Sequence, residues 1–401
     1  MTQASMPMSV EQEVSALVRS LYPGARSVTV TRLDPDAGGA GGSTCKATGY
    51  GEPLRVRIRD ARNVEHDLVL HSPTENDFGH DRRADRAEGA LLAFDTFGRI
   101  PRHVEAVDVG AVNRDGSLLS LRDAAEFYLI TRYRAGRVYA DDLRRIAARG
   151  ACTADDLARI EALARYLVEL HRERGDRPAA YRRAIRDLVG HGECIFGVVD
   201  NFPAGTPAAP PERLQDIERA CLEWRFKLRT RTSRLRRTHG DFHPFNILFQ
   251  EDGALALLDA SRGSQGDPAD DVAALCINFP FFALERPASW ARGFRPLWQR
   301  LFDVYLAESG DEGLLEVMAP FLAFRGLVLC NPVFYPTLSP ANRDALLGVV
   351  ERALLAPRLD LACFDALFAG AADDADDDRA APALAVEGLA GLGQLPGCLP
   401  G

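Results

Sequence analysis

A polar loop followed by a β-hairpin constrains this 401-residue chain more than any other feature of its sequence. The loop spans His239–Asn246, and the two apolar runs that come after it are joined by a turn at Gln250–Gly253. An Asp-Gly pair between apolar runs is typical of a β-hairpin. Asp259 directly follows the second run. The sequence therefore predicts that one hairpin brings the end of the polar loop and Asp259 together.

Two oxygen-bearing side chains are expected at the open end of this hairpin. Counting back along both strands from the turn sets Asn246 opposite about Leu257, two residues before Asp259. One amide and one carboxylate suit Mg²⁺, because this cation keeps waters and phosphate oxygens in its coordination sphere. Asp241, five residues before Asn246, is predicted to stand beside the metal without binding it. The arrangement is typical of phosphoryl transfer, in which a carboxylate accepts the proton of an attacking hydroxyl.

Two other interpretations of the loop compete with this one. Asp, Asn and Gly are ordinary turn residues, but a turn alone does not account for three separately spaced polar positions and a hairpin. The order Gly-Asp-Phe-His at 240–243 suggests a dinuclear metallophosphatase, yet the other histidines are isolated and no companion ligand cluster accompanies them. We therefore interpret His239 and His243 as structural, with His239 anchoring the loop by hydrogen bonding.

Charge and cysteine content narrow the class of protein. The net charge is −9, most of it in the acidic segment 371–401, so the rest of the chain is close to neutral. The lack of a basic excess argues against nucleic acid as a partner. The eight cysteines form no CxxC pair, which argues against a zinc site and a disulfide framework. The N-terminus lacks a signal-peptide pattern and the most apolar stretch is short, so we expect a cytoplasmic protein with no membrane partner.

The hydrophobic periodicity changes along the chain. Residues 1–134 are β-rich, residues 135–370 are mainly helical, and residues 371–401 form an acidic tail that is predicted to be disordered. Thr153, with Asp156 three positions later, is predicted to cap a long helix. The predicted helices cover 9–22, 80–97, 153–174, 211–228 and, with proline breaks, 287–368, and the predicted strands cover 28–33, 44–48, 54–58, 68–70, 104–109 and 126–133.

Three segments together resemble the aminoglycoside phosphotransferase and choline kinase superfamily, small-molecule relatives of protein kinases. They are His239–Phe249, Leu257–Asp259 and Gly266–Ala273, and the resemblance extends more weakly over most of residues 9–360. It implies an α+β, bilobal protein-kinase-like fold. The N-terminal nucleotide-binding lobe would then be residues 1–134, and the catalytic and acceptor-binding lobe residues 135–370.

The resemblance also implies a reaction. The chain is expected to be an ATP-dependent phosphotransferase that moves the γ-phosphoryl group to a hydroxyl of a small-molecule acceptor. Asp241 would be the catalytic base, Asn246 and Asp259 the Mg²⁺ ligands, and Asp271 a structural acid that braces the metal loop. The segment 126–136 resembles the hinge strand and turn that hold the nucleotide base, and the sequence does not choose between ATP and GTP.

The nucleotide-binding residues implied by the resemblance lie in the N-terminal part. Residues 38–43, the glycine segment, would cover the nucleotide phosphates, because backbone N–H groups approach a ligand closely where no Cβ intervenes. Related kinases carry a lysine at a position on the predicted strand 67–71 where this chain has His71. One substitute for that lysine is His71, kept protonated by Glu88 on the following helix. Another is Lys46, which follows the glycine segment and stays charged at neutral pH. A third reading is that both are structural. The expected residues are Gly39, Gly41, Gly42, Ser43, Lys46, His71 and Glu88.

The absence of the usual strand lysine opens a second function. A nucleotide-binding pseudokinase that keeps the metal loop and acts as a regulator or scaffold fits the same residues. Turnover of MgATP in the presence of an acceptor separates the two. No spacing in the sequence encodes the identity of the acceptor or the oligomeric state.

Overall fold

The computed structural model describes residues 10–32, 53–260 and 262–370. The chain divides into two compact units, Met1–Thr131 and Arg132–Gly401. The glycine segment, the strand predicted at 44–48 and the acidic tail lie outside the described residues. The expected combination of small antiparallel sheets in the first unit and mainly helices in the second is confirmed.

The first unit is built on a three-stranded antiparallel sheet in the order β1-β2-β3. Val56 and Ile58 on the central strand alternate with arginines and pack with Val14 and Val18 of the first helix in a small core. This alternation is the reason that one face of the sheet is covered and the other is polar. The elements are α1 (Val10–Leu21), β1 (Ala25–Arg32), β2 (Leu54–Asp60), β3 (Glu65–Leu70), α2 (Arg83–Phe97), β4 (Gly110–Val112) and β5 (Leu118–Ser120).

Two of the predicted strands are wrong. Neither 104–109 nor 126–133 forms a strand, and the short hairpin of β4 and β5 lies between them instead. Apolar and β-branched residues become a strand only where a neighbouring segment supplies backbone hydrogen bonds. The identity of that neighbour is not encoded in the local pattern, which is why the prediction failed there.

The second unit contains three β-pairings among many helices. Its sheet β6-β8-β9 is antiparallel, and β7 pairs with β10. The elements are β6 (Arg137–Val138), α3 (Tyr139–Arg149), α4 (Ala154–His171), α5 (Pro178–Gly190), α6 (Ile195–Asp200), α7 (Pro211–Leu228), β7 (Arg236–Arg237), β8 (Ile247–Phe249), β9 (Leu255–Leu257), β10 (Gln265–Gly266), α8 (Pro268–Cys276), α9 (Asn278–Ala283), α10 (Arg295–Ser309), α11 (Leu314–Val317), α12 (Ala319–Cys330) and α13 (Pro340–Leu355).

The sheet of the second unit positions the polar loop. The hairpin of β8 and β9 confirms the prediction for this segment, and β6 adds to it with Arg137 opposite Phe249. Gly136, just before β6, permits this pairing because a Cβ at that position would lie 2.7 Å from the Phe249 carbonyl oxygen. The loop 239–246 therefore leads directly into the central strand of a three-stranded sheet.

The helix α4 begins at the predicted cap. The Thr153 hydroxyl accepts the Asp156 N–H at 3.3 Å, and the Asp156 carboxylate accepts the Thr153 N–H at 2.8 Å. This reciprocal pair is a capping box. The helix buries Ile160 and Leu163 and ends at His171, which is itself buried. The cap therefore fixes the start of the helix whose last residue reaches the candidate site.

Replacing Thr153 with alanine is expected to lower the free energy of unfolding by about 1 kcal/mol, because one N–H at the start of the helix loses its acceptor. Urea denaturation followed by circular dichroism measures the change. Thr153→Ser keeps the hydroxyl and serves as the control. An alanine variant as stable as the wild-type protein would contradict the contribution of the cap.

The helix α12 is buried along most of its length in the second unit. Arg325, its charged residue, is only 8% exposed and lies in an apolar run with Phe324 and Leu327. A buried guanidinium requires partners, and those of Arg325 lie in the polar loop. Within the described ranges, no helix combines the length and apolar character needed to cross a membrane.

Candidate active site

The β8–β9 hairpin brings Asn246 and Asp259 to its open end. Ile247 pairs with Leu257, and the Leu258 N–H donates to the Asn246 carbonyl oxygen at 2.9 Å. Asn246 is therefore opposite Leu258, one residue beyond the predicted partner Leu257. The convergence of the two residues was predicted, and the register is shifted by one.

The shift in register arises in the hairpin loop. The Gln250 N–H donates to the Ala254 carbonyl oxygen at 2.9 Å, so the strands pair one residue further into the turn than expected. Gly253 inside the loop has a φ of +81°, a left-handed conformation that glycine adopts without strain. Three-residue hairpin loops with such a residue are common. This loop is one residue shorter than the predicted turn and places Phe249 opposite Leu255.

The side-chain amide of Asn246 is oriented by Asp241. Its Nδ2 donates to the main-chain oxygen and to the Oδ2 of Asp241, both at 3.1 Å. The Oδ1 of Asn246 is consequently the atom not used in these bonds. Amide and carboxylate oxygens such as those of Asn246 and Asp259 are hard donors of the kind that Mg²⁺ prefers. Among the described residues no three His, Cys, Asp or Glu side chains form a metal-binding group.

Asp259 has an unusual backbone conformation. Its φ is +48°, in the left-handed region, and the residue is exposed. Aspartate tolerates this region better than most residues, but it is still uncommon. Such conformations concentrate at functional sites. This turn lies two residues beyond Leu257, where β9 ends.

A buried carboxylate on α8 holds the start of the polar loop. Asp271 accepts the His239 N–H and the Gly240 N–H, each at 2.8 Å. Gly240 has a φ of +81°, so a side chain there would strain the turn. The His239 ring also contributes, since its Nδ1 accepts the Asp241 N–H at 3.3 Å. The predicted bracing role of Asp271 and the anchoring role of His239 are confirmed by these bonds.

Asp271 is in turn held by the end of α4. His171 Nε2 lies 3.1 Å from its Oδ2, and His171 Nδ1 lies 2.7 Å from the Tyr305 hydroxyl. Burial raises the pKa of Asp271, but the bonds from His171 and from the loop outweigh it and lower the pKa overall. The carboxylate is therefore ionised and fully hydrogen-bonded at the base of the loop.

Asp241 forms an ion pair with Arg325. The Arg325 Nη1 donates to Asp241 Oδ1, and its Nη2 donates to the Gly240 carbonyl oxygen at 3.0 Å. Burial raises the pKa of Asp241, but Arg325 and His243 outweigh it and hold the pKa well below its usual range. Asp241 is thus a carboxylate that stays ionised, with its side chain 21% exposed.

The remaining contacts of Asp241 leave it able to accept one more hydrogen bond. His243 Nδ1 accepts the Phe245 N–H at 3.2 Å, so the ring hydrogen is on Nε2, which lies 3.3 Å from Asp241 Oδ2. The same Oδ2 accepts from Asn246. A carboxylate has about four acceptor positions. Among the described residues Oδ2 has two donors, whereas Oδ1 has one within hydrogen-bond distance, Arg325, so the open position is on Oδ1.

The sequence analysis missed the arginines of this site. Arg325 pairs with Asp241 and Asp270, and Arg262 Nη2 lies 3.3 Å from Asp270 and 3.9 Å from Asp241 Oδ1. The guanidinium groups of Arg262 and Arg325 lie 4.9 and 4.7 Å from the centre of the Phe324 ring. A lone arginine inside the apolar run of α12 was the signal that could have found Arg325, because such a charge is costly without partners.

The residues predicted to contact the nucleotide are described only in part. The glycine positions 39, 41 and 42, Ser43 and Lys46 lie outside the described residues. His71 follows β3 and Glu88 lies on α2, and both are exposed. The described contacts include no ion pair between His71 and Glu88. Their contact with phosphate stays a prediction.

The lowered pKa values of Asp241 and Asp271 predict a loss of stability in acid. A carboxylate with a depressed folded-state pKa stabilises the fold above its unfolded pKa of about 4, and this contribution is lost as the pH falls through the folded value. We expect the free energy of unfolding to decline as the pH is lowered below about 4, and less steeply in Asp271→Asn. Urea denaturation at a series of pH values measures this. Asp216→Asn, an exposed acid on α7, is the control, and parallel pH slopes for all three proteins would contradict the account.

Comparison with protein families identifies the class. A model described as the phosphotransferase enzyme family matches residues 53–307, well over half of the chain. The chain belongs to the phosphotransferase enzyme family. The resemblance to the aminoglycoside phosphotransferase and choline kinase superfamily is thereby confirmed, and with it the α+β, protein-kinase-like fold class. No curated protein matches the chain.

Several solved structures are similar to this chain at low sequence identity. An ethanolamine kinase of Plasmodium vivax is 11% identical, with 89% of this chain and 85% of that chain covered and a TM-score of 0.32. A glucosamine kinase in complex with glucosamine, ADP and inorganic phosphate is 16% identical, with 87% and 99% covered and a TM-score of 0.36. A choline/ethanolamine kinase family protein of Mesorhizobium loti is 14% identical, with 90% and 100% covered and a TM-score of 0.33.

Proposed function

We propose that this chain is a small-molecule kinase that transfers the γ-phosphoryl group of ATP to a hydroxyl of its acceptor. The observation that carries the proposal is the arrangement around Asp241. This ionised carboxylate lies in a loop braced by Asp271, has one acceptor position open, and is bonded to Asn246 at the end of the hairpin that leads to Asp259. Membership of the phosphotransferase enzyme family supports the same reaction.

Asp241 would orient the acceptor hydroxyl rather than remove its proton early. Its low pKa makes Asp241 a weak base. Phosphoryl transfer through a loose transition state requires little removal of the hydroxyl proton before the new bond forms. The hydroxyl oxygen bonds to the γ-phosphorus, the bond from that phosphorus to the bridging oxygen breaks, and ADP leaves. The hydroxyl proton passes to Asp241. Asn246 and His243 hold the carboxylate in place for this transfer.

Asn246 and Asp259 would hold Mg²⁺. Their oxygens are hard donors, and the amide of Asn246 is fixed with its nitrogen toward Asp241. When bound, the cation neutralises charge on the nucleotide phosphates. The backbone turn at Asp259 and the hydrogen bond from Leu258 to Asn246 keep these two donors at one end of the hairpin.

The nucleotide contacts of the N-terminal unit belong to the same proposal. Gly39, Gly41, Gly42 and Ser43 would cover the phosphates with backbone N–H groups. Lys46 or His71 would supply the cation that relatives take from a strand lysine, with Glu88 as the acid of the following helix. ATP is the proposed donor, and GTP is the alternative that a nucleotide titration distinguishes.

A pseudokinase is the second candidate, and the contact of Arg325 with Asp241 favours it in one respect. Arg325 donates to Oδ1 of Asp241, the same carboxylate oxygen that would accept the hydrogen bond of the acceptor hydroxyl. A protein that binds MgATP and never releases ADP would fit this reading. Turnover decides between the two functions.

The deciding experiment incubates purified protein with MgATP and a panel of hydroxylated metabolites and antibiotics, and measures ADP release. Thermal stabilisation by nucleotide is recorded in parallel. A small-molecule kinase releases ADP with at least one acceptor, above the rate without acceptor. Stabilisation by nucleotide without turnover across the panel would favour the pseudokinase. The absence of both stabilisation and turnover would contradict both functions.

A further inference from the structure

Arg325 combines burial, charge and an unpartnered donor. Its Nη1 and Nη2 bond to Asp241, Gly240 and Asp270, whereas its buried Nε has no hydrogen-bond partner within the described residues. A buried N–H without a partner is costly, and an exception of this kind in a native protein calls for an explanation. The guanidinium has donor capacity that the chain itself does not use.

A second guanidinium accompanies it. Arg262 and Arg325 lie against the same Phe324 ring, at 4.9 and 4.7 Å from its centre, and both pair with Asp270. The charged groups of the cluster are these two arginines and the carboxylates of Asp241 and Asp270. An oxyanion brought beside this cluster would be attracted by both guanidinium groups.

A small cleft lies in the second unit. Tyr335 lines this cleft with Phe281, Glu285, Thr337 and Leu338. Burial raises the pKa of Tyr335 to about 12, with Asp241 adding to the effect and Arg325 opposing it, which places the Tyr335 hydroxyl in the field of both charges.

We propose that the acceptor carries an oxyanion, a carboxylate or a phosphate, next to the hydroxyl that is phosphorylated, and that Arg325 binds it with Arg262 alongside. The inference rests on the proposed function and names its substrate class. A hydroxyl bonded to Asp241 Oδ1 is adjacent to the Arg325 guanidinium, which repels a cation and attracts an oxyanion. The planar fork of a guanidinium matches both kinds of oxyanion.

The test compares acceptors that differ only in the oxyanion. The carboxylate pairs are serine with ethanolamine and glycerate with ethylene glycol, and the phosphate pair is glycerol 3-phosphate with glycerol. ADP release gives kcat and KM for each. The wild-type protein is expected to prefer the anionic member of a pair, and the pair that responds distinguishes carboxylate from phosphate. An equal rate for both members, or a preference for the uncharged or cationic member, would overturn the inference and leave the kinase function standing.

Variants of Arg325 separate recognition from support of Asp241. Arg325→Gln is expected to lower the turnover of both acceptors of a pair, because Asp241 loses its ion pair with Arg325. The ratio of the two kcat/KM values therefore isolates the contact with the oxyanion. We expect this preference to fall by roughly 10- to 100-fold, mainly through KM, the effect of losing a charge-assisted hydrogen bond. Arg325→Lys should restore part of it. Arg213→Gln is the matched control, because Arg213 is also shielded and paired with Glu351 and Asp344. An unchanged preference in Arg325→Gln would contradict the assignment.

A binding measurement decides the matter if no pair is turned over, an outcome that would count against the proposed function. Melting temperatures are recorded in acetate, inorganic phosphate and chloride at equal ionic strength. An oxyanion site at Arg325 predicts stabilisation by acetate or phosphate in the wild-type protein and in Arg213→Gln, and its loss in Arg325→Gln. Equal stabilisation of all three proteins, or none in the wild-type protein, would overturn the inference.

Discussion

Replacing Asp241 with asparagine is expected to lower kcat by about 10²- to 10⁴-fold while nucleotide still stabilises the protein. The amide keeps the shape of the side chain but cannot accept the hydroxyl proton. It also removes one of the two carboxylate partners of Arg325, leaving Asp270. Asn246 and Asp259 are unchanged, so binding of MgATP should persist. ADP release in the presence of an acceptor and thermal shift with MgATP measure the two properties.

The control for this substitution is Asp216→Asn, which changes an exposed acid on α7. It should keep the wild-type kcat. If Asp241→Asn retained most of the wild-type turnover, the carboxylate could not be the group that orients and deprotonates the hydroxyl. If nucleotide no longer stabilised the variant, Asp241 would belong to the nucleotide contacts instead.

Replacing Asp271 with alanine is expected to destabilise the protein by about 3 to 5 kcal/mol and to abolish turnover. The substitution leaves the His239 N–H, the Gly240 N–H and the His171 ring without the buried carboxylate to which all three are hydrogen-bonded. Each buried donor without a partner costs about 1 to 3 kcal/mol. Asp271→Asn keeps one acceptor oxygen and should lose less stability than Asp271→Ala. Urea denaturation measures the stability, and ADP release measures the effect on the loop.

A buried acid outside the loop serves as the control for Asp271. Asp142 on α3 is buried and pairs with Arg137, Arg145 and Arg159. Asp142→Asn is expected to lose stability but to keep turnover at temperatures where it is folded. If Asp271→Asn behaved like Asp142→Asn, with turnover intact, the bracing of the polar loop would not be needed for the reaction.

The local features of this chain were predictable from its sequence. The cap at Thr153, the helix 211–228 and the hairpin after the polar loop depend on residues close together in the chain. The same holds for the convergence of Asn246 and Asp259, because a hairpin fixes which residues meet across it. The register was off by one, because the strands pair one residue further into the turn, where Gly253 adopts the left-handed conformation.

The features that depend on distant residues were not predictable. The Asp241–Arg325 ion pair joins positions far apart in the chain, and no periodicity relates them. The segments 104–109 and 126–133 read as strands because of their composition, but strand formation depends on a partner found elsewhere. The chemistry of the loop was therefore available from the sequence, whereas the groups that tune Asp241 required the fold.

The central claim is that Asn246 and Asp259 hold a divalent cation beside Asp241. Anomalous scattering from crystals grown with Mn²⁺ and ADP tests it most directly. The account predicts an anomalous peak within bonding distance of Asn246 Oδ1 and the Asp259 carboxylate, about 2.0 to 2.3 Å from each, with Asp241 outside the coordination sphere. A nucleotide-bound crystal whose Mn²⁺ peak lies on other side chains, away from this hairpin, would contradict it.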